Sequence, residues 1–412
     1  MSMEQKRVEM PGLSQSSNTM DHVKTLALYC LPVISLFLSF LSYHWAIHTS
    51  NQLYRALFFV PYLFFAVFSF IESKRFDIFP ALVSLWAQSV ALNIIHITSV
   101  LFIEKWPSPP RDQLSPASLR STYRLWSNPR LVPESNTLII KNQTPGNEPP
   151  GVAIFLLRRL LKLALYYSLH TYAIPYLFTN TIGDLYPEDV NLSTPLAAAT
   201  PRALAVRAWF AVYWIWESIA FLDGANALLS CAAVLAGLDR PADWPALFGR
   251  PAAACGLQGF WARFWHQLAS RPYKSLARAV VKGIIGVNLP PAVSRALLAL
   301  VVFFVSGLSH TAVSWHLGVR DMLDLRWFLL NFVGCMGERV GLSIVTCLAR
   351  QAGYTRKLEV IERSWLGRMA GYLWVFLFFF WSVPLWRYPR LYEQLMVREW
   401  MFIFSLFEND LH

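Results

Sequence analysis

The chain of 412 residues has few charged side chains for its length. Asp, Glu, Lys and Arg make up 15% of the sequence, whereas a soluble globular protein carries about 25%. Hydrophobic residues reach 55%, and the mean hydropathy is +0.38. The net charge of +11 would suit nucleic-acid binding only on a polar basic domain, and the sequence has no long polar domain. The composition therefore excludes an array of soluble domains and a nucleic-acid partner, and it favours a membrane domain.

Cysteine is also scarce, and the common catalytic motifs are missing. The five cysteines show no C-x-x-C spacing and lie mostly in apolar runs, which is typical of small buried side chains. No G-x-S-x-G, H-E-x-x-H, P-loop or G-x-G-x-x-G motif occurs. The sequence thus gives no support for a serine hydrolase, a zincin, a nucleotidase or a dehydrogenase. We expect neither a metal site nor a disulfide framework.

Long apolar runs dominate the sequence instead. A transmembrane helix needs about 20 largely apolar residues, and the runs predict an all-α polytopic membrane protein with about eight or nine transmembrane helices. Residues 1–24 form a polar tail without a cleavable signal peptide, and residues 25–412 are expected to form a single integral-membrane domain. The predicted spans are 25–46, 53–71, 78–103, 152–178, 204–236, 296–317, 327–348 and 369–386, with a shorter apolar stretch at 394–407.

The loops between these spans predict the topology. Residues 238–295 hold eight Lys and Arg against two acids, which places this loop in the cytosol by the positive-inside rule. Residues 104–150 contain nine prolines and no sustained apolar periodicity, so we expect an irregular cytosolic loop. Residues 179–203 fall on the opposite side and carry the glycosylation-type triplet Asn191-Leu192-Ser193.

The stretch GFWARFWHQLASRPY, residues 259–273, combines large aromatics with basic side chains. Read as a helix, it places its tryptophans on one stripe, with Arg263 and His266 on the other side. Pro272 is expected to end that helix. The tryptophan stripe predicts an anchor at the cytosolic membrane edge, and two interpretations of His266 stay open: an incidental residue of that anchor, or part of an active-site wall.

A second histidine lies inside the span near 296–317. His310 follows Arg295 by 15 residues, or about 22 Å of helix, so it falls within the hydrocarbon core. Ser306, His310 and Ser314 form a polar stripe with Gly307 beside it. An ionisable group at that depth is a functional candidate, although a helix-packing stripe of small residues would look the same.

Other intramembrane polar residues have structural explanations. Acids inside a span usually pair with another group, so Glu217 and Asp223 are expected to pair across helices. Glu338 and Arg339 lie among small residues in GCMGERVG, which is typical of helix packing.

The two histidine blocks together resemble the signatures of wax synthase-domain acyltransferases, relatives of the membrane-bound O-acyltransferases. That family has F-W-G-R-R-W-H-Q followed by S-G-x-x-H, and the resemblance centres on residues of about 240–325. The matching residues are Phe260, Trp261, Arg263, Trp265, His266, Gln267, Ser306, Gly307 and His310. The closest similarity is to the fungal branch that acetylates terpenoid and meroterpenoid alcohols. Four positions depart from the pattern, namely Gly259, Ala262, Phe264 and Thr311.

The resemblance implies a multi-pass acetyltransferase of the endoplasmic reticulum that moves an acetyl group from acetyl-CoA to a hydroxyl of a lipophilic alcohol. It implies His310 as general base and His266 as the group that polarises the thioester or orients the acceptor. The residues expected to bind the cofactor are Arg263, Trp265, Gln267, Arg271 and Lys274, and those expected in the substrate pocket are Ser306, Gly307 and Ser314. The basic side chains among them fit cofactor phosphates and lipid headgroups equally well.

Two alternatives stay open. One is an acyltransferase that uses long-chain acyl-CoA and makes wax esters or triacylglycerol. The other is a non-catalytic transporter or scaffold, for which inverted repeats would be the signal; none is visible in the sequence. The expected partners are the acceptor alcohol, acetyl-CoA and the lipid bilayer. The sequence does not determine the oligomeric state.

Overall fold

The computed structural model describes residues 13–76, 79–107, 115–130, 151–179, 181–185, 200–285 and 289–409. Every regular element within these ranges is helical. The helices are α1 (Leu13–Ile47), α2 (Gln52–Glu72), α3 (Pro80–Thr98), α4 (Pro116–Ser127), α5 (Val152–Ser168), α6 (Ile174–Leu177), α7 (Pro201–Leu235), α8 (Leu257–Gly259), α9 (Ser270–Ile285), α10 (Pro291–His316), α11 (Leu323–Gln351), α12 (Thr355–Arg363) and α13 (Trp365–Asn409). Residues 1–12 of the expected polar tail and the triplet at Asn191 lie outside the described residues.

The all-α polytopic architecture is confirmed. Among the described residues, seven helices are long and apolar enough to cross a membrane. The run at 152–178 is not among them: α5 carries Arg158, Arg159 and Lys162 and gives way to a π-helical turn after Ser168. The apolar stretch at 394–407 continues α13, and a total of eight or nine spans stays a prediction. The seven segments are Leu28–Ile47, Gln52–Phe76, Pro80–Ile103, Pro201–Leu235, Pro291–His316, Leu323–Gln351 and Trp365–Val397.

The chain divides into two units. The first comprises Met1–Pro129 with Ser309–Asp321, and the second comprises Arg130–Leu308 with Met322–His412. Each unit has its own hydrophobic core. The single integral-membrane domain expected over 25–412 stays a prediction.

In the first unit, buried histidines hold a helix that the sequence did not predict. Ser115 caps α4 by accepting a hydrogen bond from the Ser118 amide, and proline at the first helical position suits a helix start. The irregular loop predicted over 104–150 is therefore wrong at Pro116–Ser127, while 108–114 and 131–150 lie outside the described residues. Two polar side chains of α4 bind histidines of the α1 segment: His44 Nδ1 lies 2.8 Å from Thr122 Oγ1, and His48 Nε2 lies 2.7 Å from Ser118 Oγ.

In the second unit, the two acids inside α7 are paired with basic side chains of other helices. Arg387 of α13 donates to Glu217 of α7 at 2.6 Å. Lys162 of α5 donates to Asp223 of α7 at 2.8 Å. The expected pairing of both acids is confirmed, because unpaired charges at this depth would be costly.

A third pair connects α11 to α13. Asp324 is 3% exposed and accepts two hydrogen bonds from Arg390, at 2.8 and 3.0 Å. Trp386 Nε1 donates to the same carboxylate at 2.7 Å. This bidentate geometry fixes the start of α11, which lies beside the aromatic residues of the candidate site.

Candidate functional site

The segment with His266 is not the regular helix that its periodicity predicts. The short helix α8 runs into a π-helical turn at Phe260–Phe264, and Trp265 is extended, with φ −61° and ψ 154°. A new helix, α9, begins at Ser270. Pro272 therefore does not end a helix: it lies in the first turn of α9, where a missing N–H costs little. Because Trp265 is extended, the helical stripe ends there, and the His266 side chain does not follow the orientation that a regular helix would give it.

Two glycines allow the preceding loop to pack against this turn. The Gly249 amide donates to the Phe264 carbonyl at 2.8 Å, and a Cβ at Gly249 would lie 2.0 Å from the carbonyl oxygen of Arg263. A Cβ at Gly259 would lie 2.4 Å from the carbonyl oxygen of Ala253. No side chain fits at position 259, which gives a structural reason for the glycine at this departure from the family pattern.

Glu338 binds the backbone at the start of the segment that carries His266. The sequence pattern, which indicated helix packing for Glu338, did not predict this role. Its carboxylate accepts hydrogen bonds from the amides of Leu257 and Gln258, the latter at 3.2 Å, and from Trp374 Nε1 at 2.8 Å. Gly256, at φ +90°, brings its backbone to the carboxylate, and a Cβ there would lie 3.0 Å from Glu338 Oε1. The sequence showed only an acid inside a predicted span. Two of its partners are backbone amides, which cannot be recognised from residue types.

The tryptophans of the block face the protein core. Trp261 and Trp265 are half-buried, and their rings lie 6.3 and 4.9 Å from the ring of Trp214. Trp214, on α7, is 2% exposed. The interfacial-anchor interpretation of the tryptophan stripe is therefore wrong, because the break at Trp265 turns both rings toward α7 and α11. Trp214 was not singled out in the sequence, where it is one of several tryptophans in an apolar run.

His266 is half-buried beside these rings. Its imidazole meets the ring of Phe248 edge-on at 5.9 Å and lies 5.5 Å from the ring of Trp265. Gln267 Nε2 donates to the Trp265 carbonyl at 2.8 Å, so this side chain supports the turn that presents the imidazole. Arg263 is exposed.

The predicted cationic residues continue into α9. Arg271 is half-buried, and Lys274 and Arg278 are exposed, whereas Tyr273 on the other face is buried. Although the Lys274 side chain reaches the surface, the protein around it desolvates the ammonium, and this desolvation together with the nearby Arg278 lowers its pKa. An anion bound here would relieve the repulsion between the two cations.

On α10, a glycine permits close approach to α11. A Cβ at Gly307 would lie 2.9 Å from the Cα of Leu325 and 3.0 Å from the Cβ of Phe328. One turn earlier, Phe303 meets the ring of Trp261 edge-on at 5.8 Å. The block that carries His266 and the helix segment that carries Ser306 and Gly307 are thus in contact within the second unit.

His310 lies farther along α10, in the part that belongs to the first unit. Phe304, Leu308 and Trp315 expose 44%, 47% and 47% of their surface on one arc of the helix, as expected of lipid-facing residues. His310 is also exposed but lies about 140° around the helix from the centre of that arc. The positions on both sides of it are buried, namely Gly307, Ser309, Thr311 and Val313. The imidazole is therefore accessible on a side of the helix away from the arc of exposed apolar side chains.

The predicted site residues are thus distributed over both units. Arg263, Trp265, His266, Gln267, Arg271 and Lys274 lie along one segment of the second unit, with Ser306 and Gly307 on α10, whereas His310 and Ser314 belong to the first unit. Convergence of the two histidines on one substrate stays a prediction. Among the described residues, no group of three or more potential metal ligands occurs.

Comparison with known proteins gives a family for this region. Residues 244–330 match the Membrane bound O-acyl transferase family. Acetyltransferase ataH of Aspergillus terreus is 32% identical over 171 residues, which cover 41% of this chain and 54% of ataH. Acetyltransferase nanB of Aspergillus nanangensis is 29% identical over 188 residues, or 44% of this chain and 42% of nanB. Acetyltransferase fsoF of Humicola fuscoatra is 28% identical over 214 residues, or 51% of this chain and 48% of fsoF.

The matches cover only part of each protein. The chain spans about half the length of the curated relatives that it matches, at 54%, 42% and 48% for the three above. No solved structure matches the chain significantly. The family match nevertheless includes both histidine blocks, together with Phe303 of α10 and Trp327 and Phe328 of α11. This integral membrane protein therefore carries the signature of the Membrane bound O-acyl transferase family in residues 244–330, which confirms the resemblance inferred from its histidine blocks.

Proposed function

We propose that the protein is a membrane-bound O-acetyltransferase that moves an acetyl group from acetyl-CoA to a hydroxyl of a lipophilic terpenoid or meroterpenoid in secondary metabolism. The observation that carries the proposal is the position of His310. It is an accessible imidazole within an apolar helix, away from the arc of exposed apolar side chains and inside the segment that matches the acyltransferase family. The names of the relatives, all acetyltransferases, favour acetyl as the transferred group.

His310 acts as the general base. A neutral imidazole removes the proton from the acceptor hydroxyl while its oxygen attacks the thioester carbonyl. The new C–O bond forms, the C–S bond breaks, and the departing thiolate takes the proton back from the imidazolium. The products are the acetyl ester and CoA with a free thiol, and the imidazole returns to its neutral form.

His266 stabilises the oxyanion of that step. A ring N–H directed at the thioester oxygen would stabilise the developing charge, and the edge-on contacts with Phe248 and Trp265 restrict the ring's orientation. Gln267 fixes the turn beneath it. The half-buried surroundings strengthen such a hydrogen bond because water screens it less.

The cationic side of the block binds the phosphates of the donor. Arg263, Arg271 and Lys274 supply charge-assisted hydrogen bonds, and the neighbouring Arg278 adds to the positive charge beside Lys274. Trp265 and Gln267 line the same edge. On the acceptor side, Ser306 and Ser314 line the pocket, with Gly307 allowing α11 to approach. The basic loop 238–295 faces the cytosol of an endoplasmic reticulum membrane, where acetyl-CoA is available.

The test is label transfer by membranes that contain the protein. Membranes from an expressing host should move radiolabel from acetyl-CoA to hydroxylated terpenoids and much less from palmitoyl-CoA. Membranes from a host with the empty vector provide the background. The opposite donor preference would favour wax-ester or triacylglycerol synthesis, and transfer from neither donor to any hydroxyl would favour a transporter or scaffold.

A further inference from the structure

The second unit contains a cluster of aromatic rings that we call the indole box. It comprises Trp214, Trp261, Trp265, Trp327 and Trp386, with Phe260 and Phe379 completing it. Trp214 lies at its centre, 5.1 Å from the ring of Trp327 and 6.2 Å from that of Trp386. Trp261, Trp265 and Trp386 are only half-buried, so the box has an accessible edge.

Four of the five indole N–H groups of the box fall into two classes. Trp261 Nε1 donates to Asn331 Oδ1 at 3.1 Å, and Trp386 Nε1 donates to Asp324. In contrast, Nε1 of Trp214 and Nε1 of Trp327 are buried and have no hydrogen-bond acceptor among the described residues. These two side chains are 2% and 3% exposed.

A third donor on the neighbouring helix shares this property. Ser382, on α13, is 0% exposed, and its hydroxyl has no partner within the described part of the chain. Serines in helices usually bond back to a carbonyl of the preceding turn, as Ser218, Ser230 and Ser343 do. Ser382 follows Phe379 of the box by three residues, so it lies on the same side of α13.

Buried donors without acceptors are rare because each loses its hydrogen bond to water and gains none in return. Edge-on rings, such as those of Trp214 and Trp327 at 81°, can offer N–H···π contacts, but these recover only part of the loss. Two unsatisfied indoles and one unsatisfied hydroxyl around one cluster therefore indicate an acceptor atom that arrives with a ligand. Asn331 and Asp324 show that the fold supplies protein acceptors to the indoles of Trp261 and Trp386.

We propose that the indole box binds the ring system of the acceptor substrate and that Trp214 and Trp327 donate to an oxygen on it other than the reacting hydroxyl. The ligand class is a rigid alicyclic molecule with apolar faces and a carbonyl oxygen. Aromatic walls suit the faces, and two N–H donors suit the carbonyl, which has two lone pairs. Trp265 of the box contacts His266, so the carbonyl end of the ligand lies toward Trp214 and the hydroxyl end toward the histidine. This assignment rests on the proposed function for the identity of the ligand.

Two small probes test the assignment. They are 4-hydroxy-1-decalone, which has a ring carbonyl, and 1-decalol, which lacks it. Equilibrium dialysis with the purified full-length protein measures binding of each. The Trp214→Phe and Trp327→Phe double variant keeps aromatic rings but removes both N–H groups. Its dissociation constant for the hydroxydecalone should rise about tenfold or more, as expected for loss of the hydrogen bonds, while that for decalol should change less than about twofold.

The control is Trp381→Phe, which lies on α13 with Phe379 and Trp386 of the box but is exposed at the protein surface; it should leave both dissociation constants unchanged. Melting temperatures of the variants show whether the fold is intact. Equal weakening for both probes would overturn the proposal, since the effect would then come from ring volume alone. So would a wild-type protein that binds the hydroxydecalone no more tightly than decalol. Selective binding without acetylation of either probe would leave the box standing and contradict the proposed function instead.

Discussion

Glu338 is the residue whose removal should reveal most clearly how the histidine block is held. Its carboxylate accepts from two backbone amides at the start of α8 and from Trp374 Nε1. Glu338→Ala removes all three acceptors together. Leu257, one of the donors, is 0% exposed, so water does not readily replace the lost acceptor.

The expected loss follows from the kind of hydrogen bond involved. A hydrogen bond to a charged group contributes about 1.5–3 kcal/mol, and a buried N–H left without an acceptor costs about 1–3 kcal/mol. Because the carboxylate holds the backbone that leads into Phe260–Phe264, the loss should also shift His266. A displacement of about 1 Å can reduce a rate by about 100-fold. Glu338→Gln keeps one acceptor oxygen and a similar volume, so its loss of stability and rate should lie between those of the wild type and Glu338→Ala.

The assay compares melting temperature in detergent with the initial rate of acetyl transfer at saturating acetyl-CoA. The matched control is Arg339→Gln, since the neighbouring side chain makes no hydrogen bond or ion pair among the described residues. The rates should rank wild type, then Gln, then Ala, with KM for acetyl-CoA changing less than kcat. An alanine variant with the melting temperature and rate of the wild type would refute the proposed positioning role.

Three further perturbations test other parts of the account. Asp324→Asn should destabilise the protein by about 3–5 kcal/mol, because Arg390 loses its buried partner. In thermal unfolding, the double variant with Arg390→Met should lose less stability than the sum of the losses in the two single variants. Hydrogen bonds from Arg202 hold the pKa of Asp184 down, from 3.8 to about 2. This contact therefore stabilises the fold fully above pH 3.8 and loses its effect as the pH falls toward 2, so the difference in melting temperature between wild type and Arg202→Gln should shrink over that range. His266→Ala should lower turnover with little change in melting temperature, whereas Trp261→Ala should lower both by removing a core ring and the bond to Asn331. A His266→Ala variant that loses melting temperature but keeps its turnover would contradict the oxyanion role.

Hydropathy predicted most of the membrane architecture, because the length of an apolar run is a local property. The same reasoning predicted that Glu217 and Asp223 would be paired, since a charge in a span needs a partner. It missed α4, where the start signal Ser115-Pro116 lies within a proline-rich stretch and the stabilising contacts come from histidines more than 60 residues away.

The candidate site was predictable in its residue types but not in its geometry. The spacing of Trp261, Phe264 and Trp265 matches a regular helix, yet the backbone turns at Trp265. The preceding loop packs closely there, with Gly249 against the Arg263 carbonyl and Gly259 against the Ala253 carbonyl. Such contacts depend on residues that are close in space and have no periodic signal in the sequence. The role of Glu338 and the unsatisfied donors of the indole box were hidden for the same reason.

The central claim is that His310 removes the proton from the acceptor hydroxyl. The most direct measurement is transfer of radiolabel from acetyl-CoA to the acceptor in membranes that contain equal amounts of wild type, His310→Ala or His310→Gln, with resistance to carbonate extraction as proof of membrane insertion. The account predicts full insertion for all three and loss of transfer by at least about 100-fold for both variants, in line with the usual contribution of a general base. Transfer by His310→Ala at close to the wild-type rate would contradict it.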